Sequence, residues 1–483
     1  MRTALLLTLN CCWLLGCASL DPQAPAPAAQ RLQRDDAVGE CARLFQASDR
    51  LIDAAGTRDA QSRRVPGFPH LRVDRLLAQL APPVDAIGDA RAWRAALAAL
   101  DEADRRFELA NAGSDAGPAA ESLAACRQRL ALADHNELPA LLAAARVPDD
   151  YSTIQRALGL YPLTRYAFAA GIRRWQQATL AEFAAQATAD PGDPRRLRYV
   201  AAVAPERLPA LRNLPELGLP EISPAQLARL IDRHAPRLAI ETASDDDRTG
   251  ALAWQRDAAD RLNVVVAPGP PALYVRTGHT QLAGRWLLQL SYTAWFPARP
   301  PEHAWDLLAG RLDGLLWRVT LSEDGTPLVY DTIHPCGCYH LFIPTARVRL
   351  RPPPESIDEG AFVPQTLRAP AEHERVVLRL AAATHYLQQV DLEAAPGESG
   401  IALALRDDDE LRALPLPEGG TRSAFAADGL IAGSERGERL YFWPMGIASA
   451  GQMRQWGRHA TAFVGRRHFD DPALLDRAFE RLP

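Results

Sequence analysis

The sequence predicts an α+β protein: a helical N-terminal domain, then a mostly antiparallel β domain arranged as a sandwich, then a short helical tail. Two observations lead to this prediction. Apolar residues recur at helical spacing between residues 37 and 187, whereas short segments with alternating polarity dominate beyond residue 262. Gly, Pro and Asp breaks separate the segments of both kinds.

The first residues are typical of a signal peptide. Arg2 provides a positive charge, and an apolar run from Ala4 to Leu9 follows it. This run is too short to span a bilayer, which takes roughly 20 apolar residues. Leu14-Leu15-Gly16-Cys17 resembles the lipobox of bacterial lipoproteins. The resemblance implies removal of residues 1–16, lipidation of Cys17 and anchoring to a membrane.

The residues after the cysteine bear on location. Ala18 and Ser19 stand where an inner-membrane retention signal of this class usually has Asp. The resemblance therefore implies an outer-membrane lipoprotein that faces the periplasm or the cell surface. An ordinary secreted protein with an incidental Cys17 is the alternative. Residues 17–36 are predicted to be the lipidated cysteine and a Pro/Ala-rich tether, because such a segment cannot build a core.

Composition excludes several classes of protein. The formal net charge is -5, and a nucleic-acid-binding protein usually has a basic surface, so no nucleic-acid partner is expected. All 54 Lys-plus-Arg residues are arginine. Mechanisms that need a lysine are excluded, including Walker-type phosphate loops, Schiff bases and Ser-Lys dyads.

The helical domain is predicted to span residues 37–187. Its predicted helices are Ala37–Ala54, Arg91–Asn111, Ala119–Ala133, Glu137–Ala145 and Leu163–Ala185. Cys41 and Cys126 fall in the first and third of these. In an oxidising compartment they are expected either to form a disulfide or to remain inert buried thiols.

A connection with short helices is predicted over residues 188–260. Prolines leave room for few regular elements between residues 188 and 222. Ser223 as N-cap and Pro224 at the first position then predict the start of a helix. The acidic run Asp245–Asp247 predicts a solvated turn, with a cation-binding loop as the alternative.

The β domain is predicted to span residues 261–448, and the tail residues 449–483. The predicted strands include Arg285–Phe296, Leu315–Leu321, Leu328–Ile333, Val376–Val390 and Arg439–Trp443. Ser322–Thr326 predicts a hairpin turn in which Gly325 takes a positive φ. Helices are predicted over Ser449–His459 and from Asp471 to Phe479.

The segment His334–His340 concentrates the chemistry of the β domain. Its four candidate metal ligands occupy alternate positions: His334, Cys336, Cys338 and His340. On a flat strand they would span about 20 Å, whereas metal–ligand bonds measure only about 2.0–2.3 Å. A metal site therefore requires a bend, which is predicted at Gly337.

Such a bend brings Cys336 and Cys338 together with one histidine. His385, predicted in a strand, and His459 or His468, in the tail, are available as a further ligand. Zinc or, in the cell envelope, copper suits this donor set. A strained and therefore redox-active Cys336–Cys338 disulfide is the first alternative. A purely structural corner is the second.

A second candidate lies in the tail, where guanidiniums and imidazoles occur close to aromatic rings. Its members, predicted to bind an anion or to be salt-bridged at the surface, are Arg454, Arg458, His459, Arg466, Arg467 and His468.

The sequence thus predicts a lipid-anchored envelope protein of undetermined activity, with a His/Cys metal-binding or redox site in its β domain. The alternative is a non-enzymatic scaffold or binding lipoprotein in which Cys336 and Cys338 are structural. Neither catalysis nor a protein or glycan partner follows from the sequence.

Overall fold

A computed structural model describes residues 30–83, 87–113, 117–188, 195–203, 205–352, 356–394 and 400–482. The chain is a mixed α/β protein in which helices dominate the first part and a large sheet dominates the second. The predicted signal peptide and the predicted lipidation at Cys17 lie outside the described residues.

Helices make up most of residues 37–186. They are α1 (Ala37–Ala55), α2 (Arg75–Gln79), α3 (Ile87–Ala112), α4 (Ala120–Ala133), α5 (Leu138–Ala144), α6 (Thr153–Leu158) and α7 (Tyr161–Gln186). Asp36 caps α1 by accepting from the amides of Val38 and Gly39. A hairpin, β1 (Arg63–Val65) and β2 (Phe68–Val73), packs against α3, so this part is not purely helical.

The Cys41–Cys126 disulfide is present and joins α1 to α4, with the two Cα atoms 4.9 Å apart. A buried guanidinium connects the helical part to the sheet. Arg412 donates to the carboxylates of Asp59 at 2.7 Å and Asp104 at 2.5 Å. The two parts of the chain therefore share a desolvated ion-pair network, in which every charge has a partner.

The remaining regular elements follow in chain order. They are β3 (Arg196–Val203), α8 (Pro224–His234), β4 (Arg237–Glu241), β5 (Leu252–Arg256), β6 (Leu262–Val266), β7 (Ala272–Leu282), β8 (Arg285–Arg299), β9 (Gly310–Leu321), β10 (Pro327–Ile333), β11 (Leu341–Pro344), β12 (Val348–Leu350), β13 (Glu374–Leu380), β14 (Leu387–Ala394), β15 (Ile401–Asp407), β16 (Leu414–Pro415), β17 (Thr421–Arg422), α9 (Arg439–Phe442), α10 (Leu474–Ala478) and β18 (Phe479–Arg481).

Ten of these strands form one sheet in the order β11-β10-β9-β8-β7-β15-β3-β4-β13-β14. The pairs from β11 to β7 are antiparallel, whereas β15 pairs in parallel with β7 and β3, and β13 with β4. The predicted sandwich of two facing sheets is therefore replaced by one mixed sheet. Alternating polarity reveals which face of a strand is buried but not which strands become its neighbours.

Four local predictions differ from the structure. Val376–Val390 is two strands, β13 and β14, joined by a turn that contains His385. The segment predicted as the strand Arg439–Trp443 begins with helix α9. The proline-rich connection contains β3, which lies inside the sheet. Ser449–His459 forms turns rather than a helix.

Two other local predictions are confirmed. Ser223 caps α8 in a capping box with Gln226, and Pro224 occupies its first position. Gly325 has a φ of 79° in the hairpin turn between β9 and β10. Within the described ranges, no helix has the combined length and apolar character needed to cross a bilayer.

Candidate thiol and histidine site

The chain between β10 and β11 forms a tight turn that contains the segment His334–His340. The amide of His334 donates to the carbonyl of Cys338 at 3.0 Å, and the amide of Gly337 donates to the carbonyl of His334 at 2.7 Å. Gly337 has a φ of 92°. A Cβ atom there would lie 2.6 Å from the carbonyl oxygen of Ala460. The predicted bend at Gly337 is confirmed, and both its backbone conformation and its surroundings require glycine.

The bend brings the two thiols of the turn together. Cys336 and Cys338 are both buried and both free. The interaction with the Cys336 side chain, together with burial, raises the pKa of Cys338 well above its ordinary value. The turn therefore holds the two residues as neighbouring free thiols.

A buried carboxylate, Asp313 of β9, joins two of the predicted ligands. One oxygen lies 3.1 Å from Nδ1 of His334, and the other lies 2.9 Å from Nδ1 of His385. Nε2 of His385 lies 3.4 Å from a carboxylate oxygen of Asp247, and Arg436 approaches Asp313 at 3.3 Å. The result is a continuous chain of alternating carboxylates and imidazoles.

The charges within this chain are unequal. Burial opposes ionisation of Asp313, but His334 and Arg436 outweigh it and hold the pKa of Asp313 well below its ordinary value. Burial lowers the pKa of His334. Burial lowers the pKa of His385, but the carboxylates of Asp247 and Asp313 beside its two ring nitrogens raise it overall. His385 is therefore the imidazole of this chain that carries the charge most readily.

His340, the other histidine of the turn, pairs with a different carboxylate. Nε2 of His340 lies 3.0 Å from a carboxylate oxygen of Asp331, and Arg318 donates to the same carboxylate at 2.9 and 2.5 Å. Burial lowers the pKa of His340 to about 4. Its Nδ1 atom is buried without a hydrogen-bond partner among the described residues. His340 is thus a neutral imidazole with one free ring nitrogen.

The tail histidines occupy different positions. His459 packs against the turn, and its Nε2 atom donates to the carbonyl of Pro335 at 3.1 Å. His468 instead lies beside Asp149 and Asp150, at 3.4 and 3.6 Å. Of these two histidines, only His459 is next to the thiol pair.

These donors do not form a ready metal centre. Across the part of the chain that the structure describes, no group of three or more His, Cys, Asp or Glu side chains is arranged to hold a metal ion. His334 and His385 face Asp313, whereas His340 faces Asp331. Binding of zinc or copper by this set therefore stays a prediction.

The turn forms part of the wall of a cavity of about 460 Å³. Cys336, Cys338 and His340 line it together with Glu438, the residue before α9. Burial raises the pKa of Glu438 to about 7, although nearby Arg436 opposes the rise. The sequence predicts only a charged turn around Glu438, so this proton-exchanging group was missed.

Three aromatic residues separate this cavity from a second one of about 340 Å³, because Trp175, Tyr339 and Tyr386 line both. The ring centroids of the two tyrosines are 4.6 Å apart. Arg299 donates to the hydroxyl of Tyr386 at 2.8 Å. The ring of His334 packs edge-on against both tyrosines, at 5.0 and 5.5 Å, so the carboxylate–imidazole chain reaches this wall.

In the second predicted site, in the tail, the arginine side chains already bind carbonyl and carboxylate groups of the protein itself. Arg454 donates to the carbonyls of Cys336, Ala448 and Ser449, and Arg467 donates to the carbonyls of Gly360 and Thr461. The remaining arginines pair with carboxylates: Arg458 with Asp150 and Arg466 with Asp149. These guanidiniums brace the loops around the turn and do not converge on one point.

Asp313 and Asp247 were also missed as members of the site. Asp313 lies in an apolar strand, and Asp247 lies in the acidic run predicted as a solvated turn, yet both are buried. One signal could have identified Asp313: it is an isolated acid in the apolar sequence of β9. A carboxylate buried in such a strand needs a hydrogen-bonding or charged partner.

Comparisons with protein-family models, with curated proteins and with solved structures find no match to this chain. The chemistry of the site is therefore inferred from its own residues.

Proposed function

We propose that this chain is a lipid-anchored protein of the cell envelope whose Cys336/Cys338 pair is a redox-active dithiol. The observation that carries the proposal is the pair of free thiols, one residue apart in a tight turn on the wall of a cavity. The lipobox at Cys17 supports the location. The Cys41–Cys126 disulfide agrees with an oxidising compartment.

The proposed reaction is thiol–disulfide exchange with a disulfide substrate. The sulfur of Cys336 attacks one substrate sulfur, and the second substrate sulfur leaves as a thiol. Cys338 then displaces the first substrate sulfur, so that two substrate thiols and one Cys336–Cys338 disulfide result. The two protons of the protein thiols pass to the two substrate thiols, which balances the reaction.

The environment of Cys338 favours this order. The raised pKa of Cys338 keeps it protonated until the mixed disulfide has formed. The guanidinium of Arg454 donates to the carbonyl of Cys336 at 2.9 Å and so holds the backbone of the turn in place. The ring closed by two cysteines with one residue between them is strained, which makes the product disulfide easily reduced.

Counting free thiols tests the proposal. The full chain is equilibrated across a series of glutathione redox buffers, and the thiols are then alkylated and counted. We expect two thiols per folded chain to be lost and regained together, and the variants Cys336→Ser and Cys338→Ser to lose this behaviour. Two thiols that stay reduced in the most oxidising buffer would support the structural role instead.

A soft-metal site is the second candidate, favoured by one observation. Cys336, Cys338 and His340 line the same cavity, and Nδ1 of His340 is buried without a partner among the described residues. Carboxylates that orient imidazoles, as Asp331 orients His340, are common around bound metals. Metal analysis of protein purified without chelator separates the candidates, since a stoichiometric metal lost in Cys338→Ser would replace the redox proposal.

A further inference from the structure

The cavity lined by the thiol pair has a largely apolar wall. Helix α7 contributes Phe168, Ile172 and Trp175, and α9 contributes Tyr441 and Phe442. A volume of about 460 Å³ lies within the range of roughly 300–1,000 Å³ that small-molecule sites occupy. At about 30 Å³ for each water-sized group, it holds roughly fifteen such groups, as many as one long acyl chain.

An apolar face adjoins this cavity at Tyr441. It consists of exposed side chains from α6, the start of α7 and α9, namely Ile154, Leu158, Leu160, Leu163, Tyr166, Leu440 and Tyr441. Contacts join its two halves: the rings of Phe168 and Tyr441 are 5.6 Å apart, and Gly159 lies against Pro444. Contiguous apolar patches of this kind mark binding surfaces, whereas single exposed residues do not.

Tyr441 connects the face to the cavity. Its ring lines the cavity, yet 65% of the residue is exposed. Phe168, which touches Tyr441, continues the apolar lining inward. Tyr441 and Phe168 therefore give an apolar connection between the exposed face and the cavity wall.

The charges around the face are positive. The charged residues in the first four turns of α7 are Arg165, Arg173 and Arg174, and the first acidic residue of that helix is Glu182. Arg439 adds an exposed cation beside Leu440. Aliphatic and aromatic side chains accompanied by arginines favour the surface of a bilayer with anionic lipids.

The predicted anchor holds the folded part of the chain close to such a surface. The segment 18–29 lies between Cys17 and Gln30, the first described residue, and spans at most about 40 Å when fully extended. A domain held at that distance meets the bilayer repeatedly, so even weak binding by the apolar face acts at a high effective concentration.

We propose that the cavity binds the hydrocarbon chain of a membrane amphiphile, which enters across the apolar face while that face rests on an anionic bilayer. The inference rests on the proposed envelope location. It assigns the cavity a class of ligand, a long-chain lipid, and places the bound chain next to Cys336 and Cys338.

Two probes test the two parts of the proposal on the mature chain, residues 17–483, carrying Cys17→Ala, so that neither the signal peptide nor a lipid anchor contributes. A pyrene-labelled long-chain fatty acid reports on the cavity. Vesicles of phosphatidylcholine with and without phosphatidylglycerol report on the face. Saturable binding of the fatty acid and preferential binding to the vesicles with phosphatidylglycerol are expected.

The cavity part has a matched pair of variants at Gly171, which lines the cavity and has no atom within 4 Å of a Cβ built on it. Gly171→Trp fills the cavity and is expected to weaken fatty-acid binding by about tenfold or more. Gly171→Ala is expected to bind as the unsubstituted chain does. The Cβ atom of either variant enters open space, and thermal unfolding of both variants checks that the fold is kept. Equal binding by both variants, or no saturable binding at all, would overturn the cavity assignment.

The face part has its own control. Leu158→Asp and Leu163→Asp are expected to reduce vesicle binding by about tenfold together, because they replace apolar contact with negative charge. Leu132→Asp, at a position that is 76% exposed on α4, is expected to change nothing. Self-association abolished by the face variants, without vesicle binding, would assign the face to a second copy and overturn the membrane part.

Failure here is distinguishable from failure of the dithiol proposal. The face variants Leu158→Asp and Leu163→Asp, which are not on the cavity wall, are expected to keep reversible thiol oxidation, and Cys336→Ser with Cys338→Ser is expected to keep vesicle binding. Saturable fatty-acid binding by a chain whose two thiols never oxidise would refute the dithiol proposal and leave the cavity assignment standing.

Discussion

Substituting the glycine at the centre of the turn tests the geometry on which the site depends. Gly337 has a φ of 92°, and a Cβ atom there would lie 2.6 Å from the carbonyl oxygen of Ala460. An L residue in a left-handed conformation costs about 1–2 kcal/mol. The contact adds a displacement of packed backbone, of the order of 1–3 kcal/mol that overpacking costs. We expect Gly337→Ala to lower the free energy of unfolding by about 2–5 kcal/mol.

Gly419→Ala is the matched control, since Gly419 has a φ of 99° and no atom within 4 Å of its built Cβ. This variant experiences the backbone cost but not the contact. Denaturant unfolding followed by tryptophan fluorescence gives both free energies, and their difference isolates the close approach to Ala460. Equal losses in the two variants would refute the reasoning, because the turn would then tolerate a side chain between the two loops.

Three further predictions follow from the charges and the cross-link. The pKa of Glu438 is raised to about 7, so its contribution to stability is fully present below the ordinary value of 4.5 and is lost as pH rises through 7. In unfolding measured against pH, the unsubstituted chain should lose about 3 kcal/mol of stability across that window, and Glu438→Gln should not. Identical pH profiles for the two chains would contradict this prediction. Asp313→Asn leaves buried cations without their carboxylate and should lower the free energy of unfolding by about 3–5 kcal/mol at pH 7. Asp245→Asn, at an exposed position, should leave that free energy almost unchanged. Similar losses in the two variants would contradict the buried placement of Asp313. Replacing Cys41 and Cys126 by serine should lower stability by about 2–4 kcal/mol without reductant and by almost nothing with it, and an unchanged thermal midpoint under oxidising conditions would argue against the cross-link.

The helices were predictable because their signals are local. Apolar spacing locates α1, α4 and α7 within two residues of their ends, and the Ser223-Pro224 start of α8 is a capping pattern read directly from the sequence. The sheet was not predictable in the same way. Strand β3 lies within a proline-rich segment, and it exists because β4 and β15, one of them far along the chain, pair with its two edges.

The candidate site was likewise predictable only where its signal is local in the sequence. The bend at Gly337 follows from the spacing of the segment itself, which cannot bind one ion when extended. Asp313, Asp247 and Glu438 come from three other elements, and only the tertiary fold brings them to the turn and its cavity. His385 was predicted in a strand but lies in a turn with a φ of 54°, where the β13–β14 hairpin presents it to Asp313.

The state of Cys336 and Cys338 in living cells tests the central claim most directly. Because the chain has no lysine, trypsin releases residues 319–347 as one peptide that holds these two cysteines and no others. Cells are quenched in acid, free thiols are alkylated, disulfides are reduced, and a second reagent labels the thiols so released. We predict that a fraction of the peptide carries two copies of the second label, and that this fraction rises with added oxidant and disappears with reductant. A peptide that carries only the first label under every condition would contradict the redox role of the dithiol.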